Sequence, residues 1–257
     1  MRYIDTHCHL NHESFSDDLE QVIERALSVG VEYFIIPGWD LESSKKALEL
    51  AERNPHFLAA IGFHPTEWLK ADHKSVEEIS QLALNPNVVA IGEIGLDFHH
   101  DPEHFEQQSE LLFKMFSIAE NVNKPVLIHS RESISELLVL LQKWKPNNWS
   151  GIIHSYEGDL EMANKLIHMG FKLGVGGPLT YKNSNLKHTV FSTIPIDAIV
   201  LETDSPYLPP IPFRGKRNEP EYLEKVGNKL LELRPLDQQV LLDCIFQNSY
   251  KMFNKGN

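Results

Sequence analysis

Short apolar runs alternate along the chain with longer stretches of helical period. The runs fall at 3–6, 33–37, 58–62, 88–92, 126–128, 151–153, 172–175 and 198–201, and each is short enough to be one buried strand. Between them, Leu19, Val22, Ile23 and Ala26 recur at helical spacing after Ser16, which suits an N-cap. Ser75-Val76-Glu77-Glu78 reads as a capping box. Ile134, Leu137, Leu138 and Leu141 form another stripe, and Leu160, Ala163, Leu166 and Ile167 lead to Gly170, which suits the residue just past a helix end. Further helices run through Leu223, Val226 and Leu230, and through Val240, Leu241 and Ile245, the last packing outside. Strict alternation implies parallel strands joined by right-handed crossovers. Eight such units predict an α/β fold, a single (β/α)8 TIM-type barrel. No Gly-x-Gly-x-x-Gly follows a strand, so a dinucleotide-binding sheet has no support. No linker or low-complexity tract divides the chain, and 1–257 reads as one domain.

Composition narrows the class. A chain of 257 residues, 42% hydrophobic and 23% charged, suits a globular enzyme. Its first residues read as a strand, without the basic and apolar regions of a secretory signal, and no apolar stretch approaches a bilayer span. A cytoplasmic protein is expected, with no membrane association and no evident stable protein partner. Cys8 and Cys244 lie at opposite ends, which disfavours a disulfide framework and excludes Cys-rich structural zinc. A net charge of −12 argues against a broad footprint on duplex nucleic acid, though a few phosphates could still be gripped if bound cations supply local positive charge.

The chemistry lies where the runs end. Tyr3-Ile4-Asp5-Thr6-His7-Cys8-His9 places His7 and His9 on one face of an extended segment and turns Cys8 to the other, toward packing. Two neutral imidazoles on one point make half of a transition-metal site, and a lone His-x-His is more often ordinary. Here the pattern recurs: run three ends in His64, run four in Glu93, run five in His129 followed by Arg131, run six in His154, and run eight in Glu202-Thr203-Asp204. Barrel active sites lie at the C-terminal ends of the strands, so these groups converge on one mouth. Any one of them alone is readily structural; their repeated placement favours metal. So many ligands exceed the three that one catalytic zinc commonly takes, and a carboxylate can bridge two ions where an imidazole nitrogen cannot. Glu93 is the candidate bridge.

The ordered set resembles the TatD family of metal-dependent hydrolases, within the amidohydrolase-like barrels. The resemblance rests on Ile4-Asp5-Thr6-His7-Cys8-His9-Leu10, Ile61-Gly62-Phe63-His64-Pro65, Ile91-Gly92-Glu93-Ile94-Gly95-Leu96-Asp97, Ile128-His129-Ser130-Arg131, Leu201-Glu202-Thr203-Asp204-Ser205-Pro206 and Arg217-Asn218-Glu219-Pro220. The stretch from Gly174 to Tyr181 looks most like the YjjV-type subgroup. The resemblance implies that His7, His9, Glu93 and Asp204 hold one metal, and Glu93, His129 and His154 the second. It also implies a divalent-metal-dependent deoxyribonuclease, often a 3′→5′ exonuclease on single-stranded ends, with D-aminoacyl-tRNA deacylation known among relatives. Nucleic acid is then the substrate. Two departures stand out: His9-Leu10-Asn11 in place of an aspartate at the third position, and His154-Ser155-Tyr156-Glu157-Gly158 in place of His-x-Phe-Ser/Thr-Gly.

In such a site, water between two cations becomes a nucleophile near neutral pH, with Asp204 the best proton acceptor. Glu202 shares its parity and is expected to assist catalysis, as an orienting group or a further ligand. His64, Arg131, Arg214 and Arg217 are the expected substrate contacts. The ions expected in turnover are Mg2+ or Mn2+, with Zn2+ or Ni2+ as bound alternatives for so histidine-rich a set. Two other readings compete: an ester or amide hydrolase on the same dinuclear site, and a non-catalytic scaffold with structural metal. A bridging carbamylated lysine would mark the amidohydrolase side, but Lys124 precedes run five at its wrong end.

Overall fold

The structure, a computed structural model, describes residues 1–144 and 150–253. Eight strands form one parallel sheet in sequential order: β1 (Tyr3–Asp5), β2 (Val31–Pro37), β3 (Phe57–Ile61), β4 (Val88–Asp97), β5 (Val126–Arg131), β6 (Gly151–Ile153), β7 (Phe171–Val175) and β8 (Ile199–Leu201). Helices α1 (Leu19–Ser28), α2 (Leu41–Arg53), α3 (His73–Leu82), α4 (Phe105–Asn121), α5 (Ile134–Trp144), α6 (Leu160–His168) and α7 (Asn185–Thr193) occupy the crossovers, and α8 (Leu223–Leu233) and α9 (Gln238–Phe253) follow β8. The expected (β/α)8 barrel is the observed fold.

Closure between β1 and β8 is made just past the ends of both strands. Thr6 N donates to Leu201 O at 3.1 Å, Asp204 N to His7 O at 2.8 Å and His9 N to Ser205 O at 2.7 Å. Asp5, fully buried, reinforces the seam by accepting from Thr203 N at 2.9 Å, Thr203 Oγ1 at 2.6 Å and His7 N at 3.3 Å. Burial pushes its pKa up to about 8 against these hydrogen bonds. One carboxyl thus ties the segment bearing His7 to the segment bearing Asp204.

Two apolar clusters sandwich the strand wall. The larger lies between strands and helices and includes Phe34, Phe57, Ile91, Leu112, Leu137 and Leu166. The smaller takes Ile4, Ile35, Ala60, Ala90, Leu127, Ile152 and Val200 from seven strands and adds Phe246, Met252 and Phe253 of α9. The last helix therefore does more than pack outside, because its side chains join the cluster contributed by the strands themselves. Its apolar residues cluster with strand positions such as Ile4 and Ala90, three residues before the candidate ligands His7 and Glu93.

Two caps differ from the sequence reading. The N-cap of α1 is Asp18, with Ser16 immediately following a 3-10 turn, Glu13–Phe15. The N-cap of α3 is Asp72, which accepts from Ser75 N at 2.7 Å, so Ser75 is the third helical residue. An aspartate upstream captured the free amide in the second case. Gly170 follows α6 with φ 101°, as expected of a helix-terminating glycine.

Candidate metal centre

The segment after β1 keeps the alternation read from the sequence. His7 and His9 point their Nε2 atoms to within 3.2 Å of each other, while Cys8 is buried with its sulfur 3.6 Å from Ile35 O. Glu93 Oε2 lies 3.5 Å from His7 Nε2 and 3.7 Å from His9 Nε2, and Asp204 Oδ1 lies 3.8 and 3.5 Å from the same atoms. Four ligands around one ion at about 2.1 Å stand roughly 3.4 Å apart, so this donor set fits a divalent cation. His7 Nδ1 and His9 Nδ1 are buried with no protein partner.

Glu93 turns its other oxygen to a second group. Its Oε1 is 2.9 Å from His129 Nδ1 and 3.9 Å from His154 Nε2, which is also 3.9 Å from Asp204 Oδ1. These histidines are backed by carboxylates. Asp97 Oδ2 lies 3.0 Å from His129 Nε2, and Glu202 Oε1 lies 3.2 Å from His154 Nδ1, although off the line of a hydrogen bond. Burial works against a charge on either ring, but Asp97 and Glu93 raise His129 to about 9, and Glu202 and Asp204 raise His154 to about 10. Burial likewise opposes ionisation of Glu93, yet His7 and His129 hold its carboxyl well below the usual range.

Local backbone explains how such short segments aim these groups. β4 continues past Glu93 to Asp97, with a register irregularity between Ile91 and Ile94. Gly95 has φ 151°, and a Cβ there would stand 1.9 Å from His129 O, so only glycine lets β4 lie this close to β5. β8 ends at Leu201, and Asp204 takes a left-handed φ of 58°, a conformation aspartate tolerates better than most residues. Strand parity therefore does not relate Glu202 to Asp204. Glu202 is fully buried beneath His154 and accepts from Ser155 N at 2.5 Å, whereas the Asp204 side chain keeps 14% exposure. Gly174 makes room for Glu202: a Cβ there would fall 2.2 Å from its Oε2.

The expected substrate contacts separate into two kinds. His64 sits at the second group: its ring centre is 4.4 Å from that of His129, and one atom each of His64, Glu93 and His129 lie within 4.8 Å of one another. Burial and the neighbouring His129 push its pKa down to about 3. Arg131 is half-buried at the end of β5, with Nη1 3.7 Å from Glu157. Arg214 is exposed and lies over the Tyr181 ring at 4.7 Å. Arg217 is engaged elsewhere: it donates to Asp18 at 2.8 and 2.6 Å, to Glu219 at 2.8 Å and to Ser14 O at 2.5 Å. It braces the loop after β8 against α1, which leaves no free edge for a phosphate.

Asp97 is the residue that sequence reasoning passed over, although it lies four positions after Glu93 and would share its face on a continued strand. Both departures noted in the sequence have structural reasons. Asn11 Nδ2 donates to Pro37 O at 3.0 Å and Ser43 O at 3.1 Å, which an ionised aspartate could not do. Tyr156 is buried, its hydroxyl donating to Asp159 O at 2.6 Å, and Gly158 avoids it, since a Cβ there would meet that oxygen at 2.3 Å.

An eight-stranded parallel barrel with imidazoles and carboxylates clustered at the C-terminal ends of its strands defines a metal-dependent hydrolase. The chain matches the family described as TatD related DNase over residues 4–254, and it belongs to that family. It is 36% identical over 249 residues to the uncharacterized metal-dependent hydrolase YabD of Bacillus subtilis, covering 97% of this chain and 98% of that one. It is equally similar, 36% over 255 residues with 98% of each chain covered, to the uncharacterized metal-dependent hydrolase YjjV of Escherichia coli. The crystal structure of that TatD homolog superposes with a TM-score of 0.93 at 35% identity, covering 99% of both chains. Among the described residues, no helix is long and apolar enough to cross a membrane.

Proposed function

We propose that this chain is a two-metal phosphodiesterase, a deoxyribonuclease that removes nucleotides from single-stranded 3′ ends. The observation that carries the reading is Glu93, whose two oxygens belong to different ligand groups: Oε2 to His7 and His9, Oε1 to His129 and His154. In this reading His7, His9, Glu93 and Asp204 hold one divalent cation, and Glu93, His129 and His154 the other. Such ions, when bound, lower the pKa of water and neutralise charge building on the phosphoryl and leaving oxygens.

The protein groups do the rest. Asp204 lies within 3.5 to 3.9 Å of His9, His7 and His154, central to both groups, and accepts the proton of the attacking water. Asp97 and Glu202 are positioning residues, fixing the His129 and His154 rings from behind. Arg131 and Arg214, at the rim, are the cations placed to meet the strand. Lys124 donates to Ala83 O at 2.5 Å and Asn85 O at 2.9 Å, away from the mouth, so the bridging position falls to Glu93 and not to a modified lysine.

The deciving comparison is metal-replete protein on labelled single-stranded DNA beside D-aminoacyl-tRNA. Stepwise release of mononucleotides from the 3′ end is expected. Rapid deacylation with intact DNA would transfer the site to carboxylic ester hydrolysis.

A further inference from the structure

A nuclease that held its substrate by charge alone would need many free cations at the mouth, and several of the described ones are already paired. Arg217 is consumed by Asp18 and Glu219, Arg25 by Glu219, and Lys70 by Asp40 and Glu67, which leaves Arg131, 3.7 Å from Glu157, and exposed Arg214 to meet the strand. The chain as a whole carries −12. What the mouth offers instead is aromatic surface beside the His7–His9 group.

Trp39 and Tyr207 both pack against His9, at 5.6 and 5.9 Å between ring centres, and both pack against His12, at 6.3 and 6.0 Å. Neither belongs to the apolar clusters. Tyr207 is 50% exposed, so its ring is accessible beside the His7–His9 group. Both rings stand on backbone fixed to the ligand-bearing segments. Trp39 N donates to Ser43 Oγ at 2.8 Å, Trp39 O accepts from His64 N at 2.8 Å, and the adjoining Gly38 O accepts from Glu93 N at 2.9 Å. Tyr207 N donates to Asp204 O at 2.8 Å, and Tyr207 O accepts from Asn218 Nδ2 at 2.6 Å. The two aromatics are thus held in register with Glu93 and Asp204 themselves.

We propose that Trp39 and Tyr207 form a stacking platform for an unpaired nucleobase beside the cleaved bond. The proposal rests on the nucleic-acid reading above and deepens it. Every base has a π-face, so such a platform tolerates sequence, and it demands a base free of its duplex partner. It also predicts that binding falls only shallowly with salt, since few phosphate contacts release counterions.

The test uses the full chain in an Asp204→Asn background, which suppresses turnover, and two fluorescent single-stranded oligodeoxynucleotides. One is intact; the other lacks the base of its 3′-terminal nucleotide. The intact probe should bind on the order of tenfold more tightly than the abasic one. Tyr207→Ala and Trp39→Ala should each remove most of that difference, Tyr207→Phe and Trp39→Phe should retain it, and no variant should change binding of the abasic probe. Equal binding of both probes by the unsubstituted platform would overturn the stacking proposal while leaving the nuclease reading in place. Equal weakening of both probes by Tyr207→Ala and Trp39→Ala would assign the rings a structural role and also overturn it. If neither probe binds, and labelled DNA is not cleaved with Asp204 intact, the nucleic-acid reading fails and the platform falls with it.

Discussion

On one side of Glu93, His7 and His9 bring bare Nε2 atoms to 3.2 Å, and their Nδ1 atoms are buried without a protein acceptor. On the other side, His129 has Asp97 behind it at 3.0 Å and His154 has Glu202 at 3.2 Å. The first group is positioned by backbone: two alternate residues on one extended segment, stitched to the β8 loop through Asp5 and Thr203. The second has buried acids behind its rings: Asp97 hydrogen-bonds His129, and Glu202 lies beside His154, off the line of a hydrogen bond, where its charge favours the protonated ring. Geometry in the first group therefore depends on the barrel seam, and in the second on particular buried acids.

Asp204 belongs to both sides, so its loss should have the largest effect. Asp204→Asn keeps an oxygen and the shape but cannot accept a proton, and kcat should fall by about 10²–10⁴-fold while the fold is retained. The check is single-turnover cleavage measured together with bound metal. A loss of activity that merely tracks lost metal would make Asp204 a ligand and no base.

Asp97→Asn should separate the two sides. Among the candidate ligands it weakens the support of His129 alone, and a loss of about 10–100-fold in the affinity of one metal step is expected, with the other step unchanged. Titration by calorimetry resolves the steps; parallel weakening of both would mean that the groups are not independently built. Gly174→Ala should act on the same side more mildly. The new Cβ displaces Glu202, costing about 1–3 kcal/mol of stability in urea unfolding and loosening the His154 side. Stability lost with both metal steps intact would remove Glu202 from the support of the site.

Arg217→Ala should have the smallest effect on chemistry and serves as the control outside both groups. Its ion pairs are partly exposed, and about 1 kcal/mol of stability is expected to go, with KM for single-stranded DNA unchanged. A raised KM at unchanged stability would restore it as a phosphate contact.

Barrel topology and the candidate ligands were legible because they follow local rules. Alternation placed His7 and His9 together and turned Cys8 away, and the repeat of strand and helix put His129 and His154 at one end. Asp97 escaped because Gly92, Glu93 and Gly95 made β4 look finished at Gly92, whereas Gly95 is what allows the strand to continue against β5. Parity misled at Glu202 because β8 stops at Leu201 and the chain enters a left-handed turn at Asp204. Arg217 looked free because its partner Asp18 is brought to it only by the packing of α1 against the loop after β8. The Asp97 and Arg217 misses turn on contacts between distant segments, and the Glu202 miss on a local backbone turn that residue pattern alone does not show.

The central claim is that Glu93 joins two cation sites, and metal stoichiometry tests it most directly. Protein stripped with chelator and titrated with Mn2+ or Zn2+ should take up two ions per chain, and Glu93→Gln should reduce the uptake or disrupt both steps together. Saturation at one ion under every loading, unchanged in Glu93→Gln, would contradict the bridging role and the two-metal account built on it.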